Sequence, residues 1–510
     1  MADPASDPRP FPPGEYPVIV IGSGPGGLQL SYGLHHYGVE HAVLSADPAA
    51  GGMFRKWPFF QRLLSWTKPY APAARTAREY QRFDWNSLVT FEPELRSMQA
   101  EFMDGSSYFP SRPEMQASLE AFSERAGIAV RYGCRWESTA KEDGPDGTTF
   151  VLQTTDGEYR AKLLVLAVGV AQPWSPSPPG IEHVRHYADT HDAEWYAGKR
   201  VFIIGKQNSG FELASGLAAW ASTITVCSPS PAKTSIEKRS LAGVRARYVQ
   251  PFEDAYLGLG VKLLDASIAG IERVGDALRV DIKRSDTGEP ISVEADEVIS
   301  ATGFTCPLLD LPALGVTTFG QAQLPAVTPL WESASVPGIF FAGTISQASP
   351  GLKKHGIPGN SGAVHGHRYN SLILARHLAE TRFGVAMERP VVARDDIVPF
   401  LLREATNAPE LWHQKAYLSR VLSLGEDGAF HDEGILPVVH ALDGMTADVI
   451  VMTVEADGTG AIYPVVYLRR NGRLSEVALP ANPLLDFETP AHQDGLRAAI
   501  ADVMQGVVAA

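Results

Sequence analysis

The 510-residue chain predicts an α/β protein: two doubly wound units, one inserted in the other, followed by an α+β extension. Three observations predict it. Two hydrophobic runs, "VIVIGSGPGG" (18–27) and "VFIIGKQNSG" (201–210), each enter a turn of small residues that opens a helix. Each is followed by a β-rich, hairpin-like segment and then by an apolar strand ending in a glycine turn, "AKLLVLAVGV" (161–170) and "ADEVISATGF" (295–304). From residue 388 that order stops, and a helical stretch gives way to strands. A chain of this length exceeds one core, so two or three domains are expected.

In the first unit, "PVIVI" is a continuous apolar run, the pattern of a buried parallel strand. Gly22, Gly24 and Gly27 have the G-x-G-x-x-G spacing. Gly22 permits a tight turn, Gly24 lets backbone approach a pyrophosphate, and Gly27 lets the next helix, roughly 26–37, pack on the strand. The helix aims its N-terminal N–H groups at phosphate. "HAVLS" (41–45) is the second strand. An acidic residue often ends that strand and binds a ribose hydroxyl, but Ser45 stands there, with Asp47 two residues on. Asp47 is either the ribose ligand or a solvated loop residue.

The second unit repeats the plan with "RVFII", "SGFELASGLAAW" and "TITVC" as strand, helix and strand. Gln207 occupies the middle glycine position. Its side chain either limits approach of a pyrophosphate, which suits a cofactor that comes and goes, or points aside. No acidic residue follows Cys227, whereas Ser228, Ser230, Lys233, Lys238 and Arg239 are available for a 2′-phosphate. That favours NADPH over NADH; the other reading is a basic solvated loop. "PWSPSPPG" (173–180) is a connector where the first unit breaks off, and "GIFFAGT" (338–344) with the helix "SGAVHGHRYNSLILARHLAE" returns to complete it.

Composition narrows the partners. Hydrophobic content is 45%, charged content 20% and net charge −14, which points away from nucleic acid and anionic membranes. No apolar run is long enough to cross a bilayer. The acidic, proline-rich start reads as a disordered tail, and the chain as cytoplasmic. Cys134, Cys227 and Cys306 are far apart, with no C-x-x-C pair for a dithiol relay, and are expected as buried thiols. His365 and His367 alternate rather than sit at i, i+4, so no metal site is expected. No Ser-His-Asp arrangement is expected either, because "HGIPGNSG" lacks the context of a nucleophile elbow.

Over about residues 15–385 the pattern resembles the two-dinucleotide-domain flavoproteins, and among them the class B flavin-dependent monooxygenases: flavin-containing, Baeyer–Villiger and N-hydroxylating. The residues that carry it are "GSGPGG", "GGMF" (51–54), "YFPSRPEMQASLEAFSE" (108–124), "GKQNSG", "ATGF" and "FFAGT". "RLLSWTK" (62–68), "RFDWNSL" (82–88) and "SGAVHGHRYNSL" (361–372) are similar to FAD-dependent oxidoreductase domain-containing proteins and their bacterial relatives. The resemblance implies FAD in the first unit, held by Gly22, Ser23, Gly24, Gly26 and Gly27, with Gly52 and Met53 along its path, Gly343 near the flavin and Asp47 as above. It implies NADPH in the second, at Gly205, Asn208, Ser209, Gly210 and Ser228, with Gly303 of "ATGF" beside it. "RHYADTHDAEW" (185–195) keeps His191 and Trp195 of the class B fingerprint but has Arg185 and Tyr187 where that has Phe and Gly. Where flavin-containing monooxygenases have an asparagine near the flavin, this chain has Trp66 or Thr67. Thr67 and Lys68, with Asn208, are therefore the catalytic candidates, and a structural loop is the other reading of the first two. Lys354 and His355 either face the flavin or lie in a solvated loop.

The expected division is a tail at 1–15, an FAD domain at 16–180 and 291–387, an NADPH domain at 181–290 and an extension at 388–510. In the extension, 395–424 reads as helical, 448–479 as two or three antiparallel strands with turns at "DGTG" and "NGR", and the end as a short helix. It is expected to pack against the core; capping the active site or a homo-oligomer contact are the alternatives. The implied function is an NADPH- and FAD-dependent monooxygenase that forms a C4a-(hydro)peroxyflavin from O2 and oxygenates a small molecule, first by N-hydroxylation of an amine or amino-acid-derived substrate. The alternatives are Baeyer–Villiger or sulfur oxygenation, an NADPH-dependent flavin reductase or oxidase, and a non-catalytic flavin-binding interaction protein.

Overall fold

The computed structural model describes residues 7–56, 62–145, 147–238, 243–351 and 353–505; Trp57 and Arg239 lie outside the described residues. The strand Glu15–Ile21 lies parallel between Ala42–Ser45 and Gly157–Leu166. Ile339–Phe341 joins the far side of Gly157–Leu166, again parallel. Val18, Ile19, Val20, Leu164, Val165 and Phe340 are all inaccessible, which explains why these segments read as unbroken apolar runs: both faces of the sheet are covered. The helix Pro25–His36 covers one face and is crossed by the long helix Val364–Phe383. Gly33 makes that crossing close, since a Cβ there would stand 2.6 Å from the Ala375 Cβ.

The second sheet repeats the arrangement, with Arg200–Ile204 parallel to Thr223–Ser228 on one side and to Glu297–Ser300 on the other. Its hairpin, Val261–Val274 with Ala277–Arg284 and Pro290–Ala295, bends away as an antiparallel arm. Glu297–Ser300 therefore belongs to this sheet, and the expected boundary at 290 is corrected: the second unit runs on through Ser300. The strand pairs by register with Arg200–Ile204, a tie that sequence order does not display. The two crossings between units, Gln172–Pro173 and Phe304–Thr305, pair with each other antiparallel.

The expectation of a disordered tail through residue 15 is corrected over its described part. Arg131, nearly inaccessible, ion-pairs with Asp7 at 2.6 Å and Asp156 at 2.5 Å, and the Tyr159 hydroxyl donates to the Phe11 carbonyl at 2.8 Å. Proline-rich sequence here is a clasp on the first sheet.

The extension forms a six-stranded antiparallel sheet backed by Ile397–Asn407 and Pro490–Gln505, with its own core around Leu401, Leu411, Met452 and Phe487. The turns at "DGTG" and "NGR" join strands as expected. The expectation of helix through residue 424 is corrected: helix ends with Pro409–His413, and Leu418–Leu424 is a central strand between Phe430–Pro437 and Val449–Ala456. The helical reading was overridden by pairing with neighbouring strands. The extension is fastened to the first unit by Arg78, which bonds Glu404 and Glu410 at 2.8 Å each. No helix among the described residues is long and apolar enough to cross a membrane.

Candidate active site

The first turn is shaped by backbone. Gly22 has φ +112°, and a Cβ on it would stand 2.5 Å from the Ala167 carbonyl oxygen. A Cβ on Gly27 would press into the Gly22 carbonyl, 3.0 Å from its carbon, so this glycine seats the helix on the strand. Gly26 abuts Gly343, whose φ is +80°; a Cβ on Gly26 would lie 2.7 Å from the Gly343 nitrogen. Gly24 differs: a Cβ there would meet nothing of the chain nearer than the Gly52 Cα at 3.9 Å. The fold does not require glycine at 24, but a group resting on the turn does. With the free first-turn N–H groups of the helix, this floor fits a diphosphate, and Gly24, Gly26, Gly52 and Gly343 would hold it.

Ser23 and Ser45 share a hydrogen bond of 2.8 Å between their hydroxyls, and Ser45 also accepts from the Asp47 N–H. Asp47 ion-pairs with Lys56 at 2.6 Å and is nearly buried, which removes the reading of a solvated loop residue. Met53 lies in a short turn, Gly52–Arg55, that follows the left-handed Gly51.

The second turn has the same construction. A Cβ on Gly205, φ +119°, would stand 2.5 Å from the Ala301 oxygen, and one on Gly210 would press into the Gly205 carbonyl, 3.1 Å from its carbon. Gln207 is exposed, at φ −117° and ψ −167°, close to the extended backbone of Gly24. Its side chain makes no cap hydrogen bond. Ser209 lies in the helix's first turn, and Ser228 ends the strand, its hydroxyl donating to the Ser230 carbonyl at 3.1 Å. Sequence reasoning missed Lys206 and Asp265. Lys206 is 3% exposed and ion-pairs with Asp265, which the neighbouring strand sets opposite Ser228. Their 59-residue separation left no local signal.

Between the units and the extension lies a cavity of about 1200 Å³. Trp66, Phe83, Trp85, Tyr108, Phe109 and Trp412 supply apolar wall; Lys68, Arg82, Arg245, Arg247 and Lys415 supply charge. Trp85 is stacked between Trp66, at 3.6 Å, and His365, at 3.9 Å, with His413 edge-on to His365. Trp412, His413 and Lys415 come from the extension, so it both packs on the core and walls the cavity.

Beneath the cavity, fully buried Arg368 donates to the carbonyls of Ser87, Gln81 and Asp84, at 2.5, 3.1 and 2.7 Å. Burial, reinforced by that guanidinium, holds His365 and His413 well below the usual histidine range and His367 down to about 3. Among the described residues neither ring nitrogen of His365, at the start of the helix Val364–Phe383, has a hydrogen-bond partner.

The catalytic candidates separate. Lys68 lines the cavity, its ammonium 5.9 Å from the centre of the Phe83 ring. Thr67 is a correction: inaccessible, it donates to Asp84 at 2.6 Å and accepts from Asn86 at 3.1 Å, which leaves its hydroxyl as a structural tie. Asn208 is corrected likewise: its amide accepts from the Arg245 N–H at 3.0 Å and donates to the Gly243 carbonyl at 3.2 Å, shaping the loop that carries Arg245 and Arg247. Gly303, φ +98°, sits at the returning crossing, its carbonyl accepting from the Trp174 N–H and lying 3.1 Å from His186 Nε2. Lys354 faces the extension, bonded to Glu455 at 2.8 Å, Glu476 at 2.9 Å and Tyr467, and His355 pairs with Glu455, which corrects both readings of that loop.

Cys134, Cys227 and Cys306 are all buried and free, and burial pushes the last two up to about 11 and about 12. Among the described residues no three His, Cys, Asp or Glu side chains gather as a metal-binding group.

The profile of the family described as pyridine nucleotide-disulphide oxidoreductase matches residues 19–343. FAD-dependent oxidoreductase domain-containing protein 2 of Mus musculus is 26% identical over 438 residues, covering 80% of this chain; the chain spans 64% of that relative's length. Indole-3-pyruvate monooxygenase YUCCA1 of Oryza sativa subsp. japonica is 27% identical over 205 residues, 39% of this chain and 44% of the relative. Among solved structures, the bacillithiol disulfide reductase of Staphylococcus aureus aligns with a TM-score of 0.55 at 16% identity, covering 72% of this chain and 99% of that one. That likeness is one of fold.

Proposed function

The chain belongs to the pyridine nucleotide-disulphide oxidoreductase family, and on that premise we propose that it is an NADPH- and FAD-dependent monooxygenase of a small molecule, with N-hydroxylation of an amino-acid-derived amine as the reaction. The observation that carries the reading is the duplication of the dinucleotide turn. A Cβ added to Gly22 or Gly205 would stand the same 2.5 Å from the Ala167 or Ala301 carbonyl oxygen, and Gly27 and Gly210 seat their helices in the same way. Two such turns in one chain imply two dinucleotides that exchange electrons. The first turn, where Gly24 leaves space for close approach, would hold FAD, and the second, where Gln207 stands exposed, would hold NADPH. Bound there, the two would supply hydride transfer and the activation of dioxygen.

The chain's own residues do the rest. Tyr248 donates to the Arg62 carbonyl at 3.2 Å, joining the two units, and the aromatic side chains give the cavity apolar surface. His365, uncharged and buried, backs Trp85 on that wall. The likeness to the monooxygenase YUCCA1 supports oxygenation. The three buried, separated thiols speak against disulfide reduction by this chain itself.

The test is to reduce the purified flavoprotein anaerobically with NADPH and then admit oxygen. A transient near-ultraviolet absorbance before the oxidised spectrum returns, with oxygenated product formed in step with NADPH loss, is expected. Immediate reoxidation with stoichiometric hydrogen peroxide across a panel of amines would replace the monooxygenase by an oxidase.

A further inference from the structure

The cavity's charge runs against that of the chain. The protein carries a net −14, yet five cationic side chains line this space: Lys68, Arg82, Arg245, Arg247 and Lys415. None of them lies within ion-pair distance of a carboxylate among the described residues. Asp457, which also lines the cavity, is committed to its own turn, accepting from the N–H groups of Thr459 and Ala461 and the Thr459 hydroxyl.

Lys68 lies near the Phe83 ring, and the other four form two pairs. Arg245 and Arg247 stand on the loop that Asn208 ties to the second dinucleotide turn, so their natural anions are the nucleotide's phosphates. Arg82 and Lys415 share one indole. The Arg82 guanidinium lies 3.6 Å over the Trp412 ring and donates to the Thr406 carbonyl at 2.8 Å. The Lys415 ammonium lies 5.2 Å from the centre of the same ring and donates to the Trp412 carbonyl at 2.5 Å. Burial, and then the Arg82 charge, brings Lys415 down to about 8, and burial brings Arg82 to about 10. Two like charges on one apolar wall repel, and carbonyl oxygens offset that only in part. An anion between them removes the repulsion and gains a charge-assisted contact from each. Trp66, Phe83 and Trp412 line the same cavity and give it flat apolar surface.

We propose that Arg82 and Lys415 form the subsite for the carboxylate of a substrate with a flat aromatic body. The inference rests on the monooxygenase reading for the word substrate, while the binding needs no turnover.

The test uses the full-length flavoprotein and two probes of one shape, 2-naphthoate and the neutral 2-naphthamide, titrated by calorimetry. Naphthoate binding at least about tenfold tighter than naphthamide is expected. Lys415→Gln is expected to erase that preference without changing naphthamide affinity, and Lys415→Arg to restore it. Saturating NADP⁺ is expected to leave naphthoate affinity within about twofold. Equal affinity for acid and amide, no naphthoate binding, or displacement of naphthoate by NADP⁺ each overturns the proposal; the last assigns these cations to the nucleotide's phosphates. Should Lys415→Gln not fold, the acid–amide pair on the unaltered protein decides. Oxygenated product formed in step with NADPH loss, followed on the same preparation, reports on the monooxygenase reading separately.

Discussion

Replacing Gly24 with alanine separates what the fold needs from what a dinucleotide needs. Gly24 lies at φ −76° and ψ −179°, which any residue adopts, and a Cβ there finds only the Gly52 Cα at 3.9 Å. Alanine narrows the unfolded ensemble, worth about 0.4–1 kcal/mol, and forfeits a favourable N-cap residue at a cost of about the same size. The apo-protein is therefore expected to keep its stability to within about 1 kcal/mol. Gly27→Ala is the control, since its methyl would be driven into the Gly22 carbonyl, 3.0 Å from the carbon and 3.3 Å from the Ala167 Cβ. Overpacking of that kind costs about 1–3 kcal/mol, and the backbone clash puts it at the upper end, a fall in melting temperature of about 6–12 °C. For FAD the order changes. The Gly24→Ala methyl takes the space a phosphate oxygen needs, and affinity is expected to fall at least about tenfold, about 1.4 kcal/mol. Thermal melts of the apo-variants and FAD titrations by flavin fluorescence measure both quantities. A Gly24→Ala protein that melts as low as Gly27→Ala, or that binds FAD as well as the parent, would refute the reasoning.

Other variants probe other ties. Glu212 is buried and, among the described residues, accepts only from the Tyr187 hydroxyl, at 2.6 Å; burial raises its carboxyl from 4.5 to about 7. The folded state therefore holds the proton more tightly, so this contribution to stability is complete below about pH 4.5 and is lost as pH rises through about 7, up to roughly 3 kcal/mol. Glu212→Gln should flatten that slope and melt higher than the parent at about pH 8. Arg368→Met should cost about 3 kcal/mol or more, read as a fall in the urea midpoint, because it strips buried carbonyls of their donor. Gln207→Gly, which completes the second glycine triplet, should lower the KM for NADPH several-fold with kcat unchanged; an unaltered KM would mean that this exposed side chain never obstructs the nucleotide.

Both dinucleotide turns were legible in the sequence because their glycines act locally. The left-handed backbone of Gly22 and the seat of Gly27 on the Gly22 carbonyl are local, although Ala167 also closes on both. Asp47 was half legible: its position was plain, but Lys56 had to be brought against it. Thr67 and Asn208 mislead for one reason. A polar residue beside a cofactor motif looks catalytic until its partners are known, and Asp84, Asn86, Gly243 and Arg245 consume both side chains. The cavity was hidden, since its walls come from residues 64–109, 235–247, 357–360 and 412–485, which no window of sequence unites. Leu418–Leu424 reads as helix beside its helical neighbours and becomes a strand only when flanked by strands on both sides.

Because one unit interrupts the other, the backbone passes between them twice, and Gln172–Pro173 is laced to Phe304–Thr305 where it does so. A single crossing would leave the units free to swivel, whereas two laced side by side restrain them. The Tyr248 hydroxyl on the Arg62 carbonyl adds a further tie, so the width of the cavity that Arg245 and Arg247 share with Trp412 and Lys415 is set at more than one place along the chain.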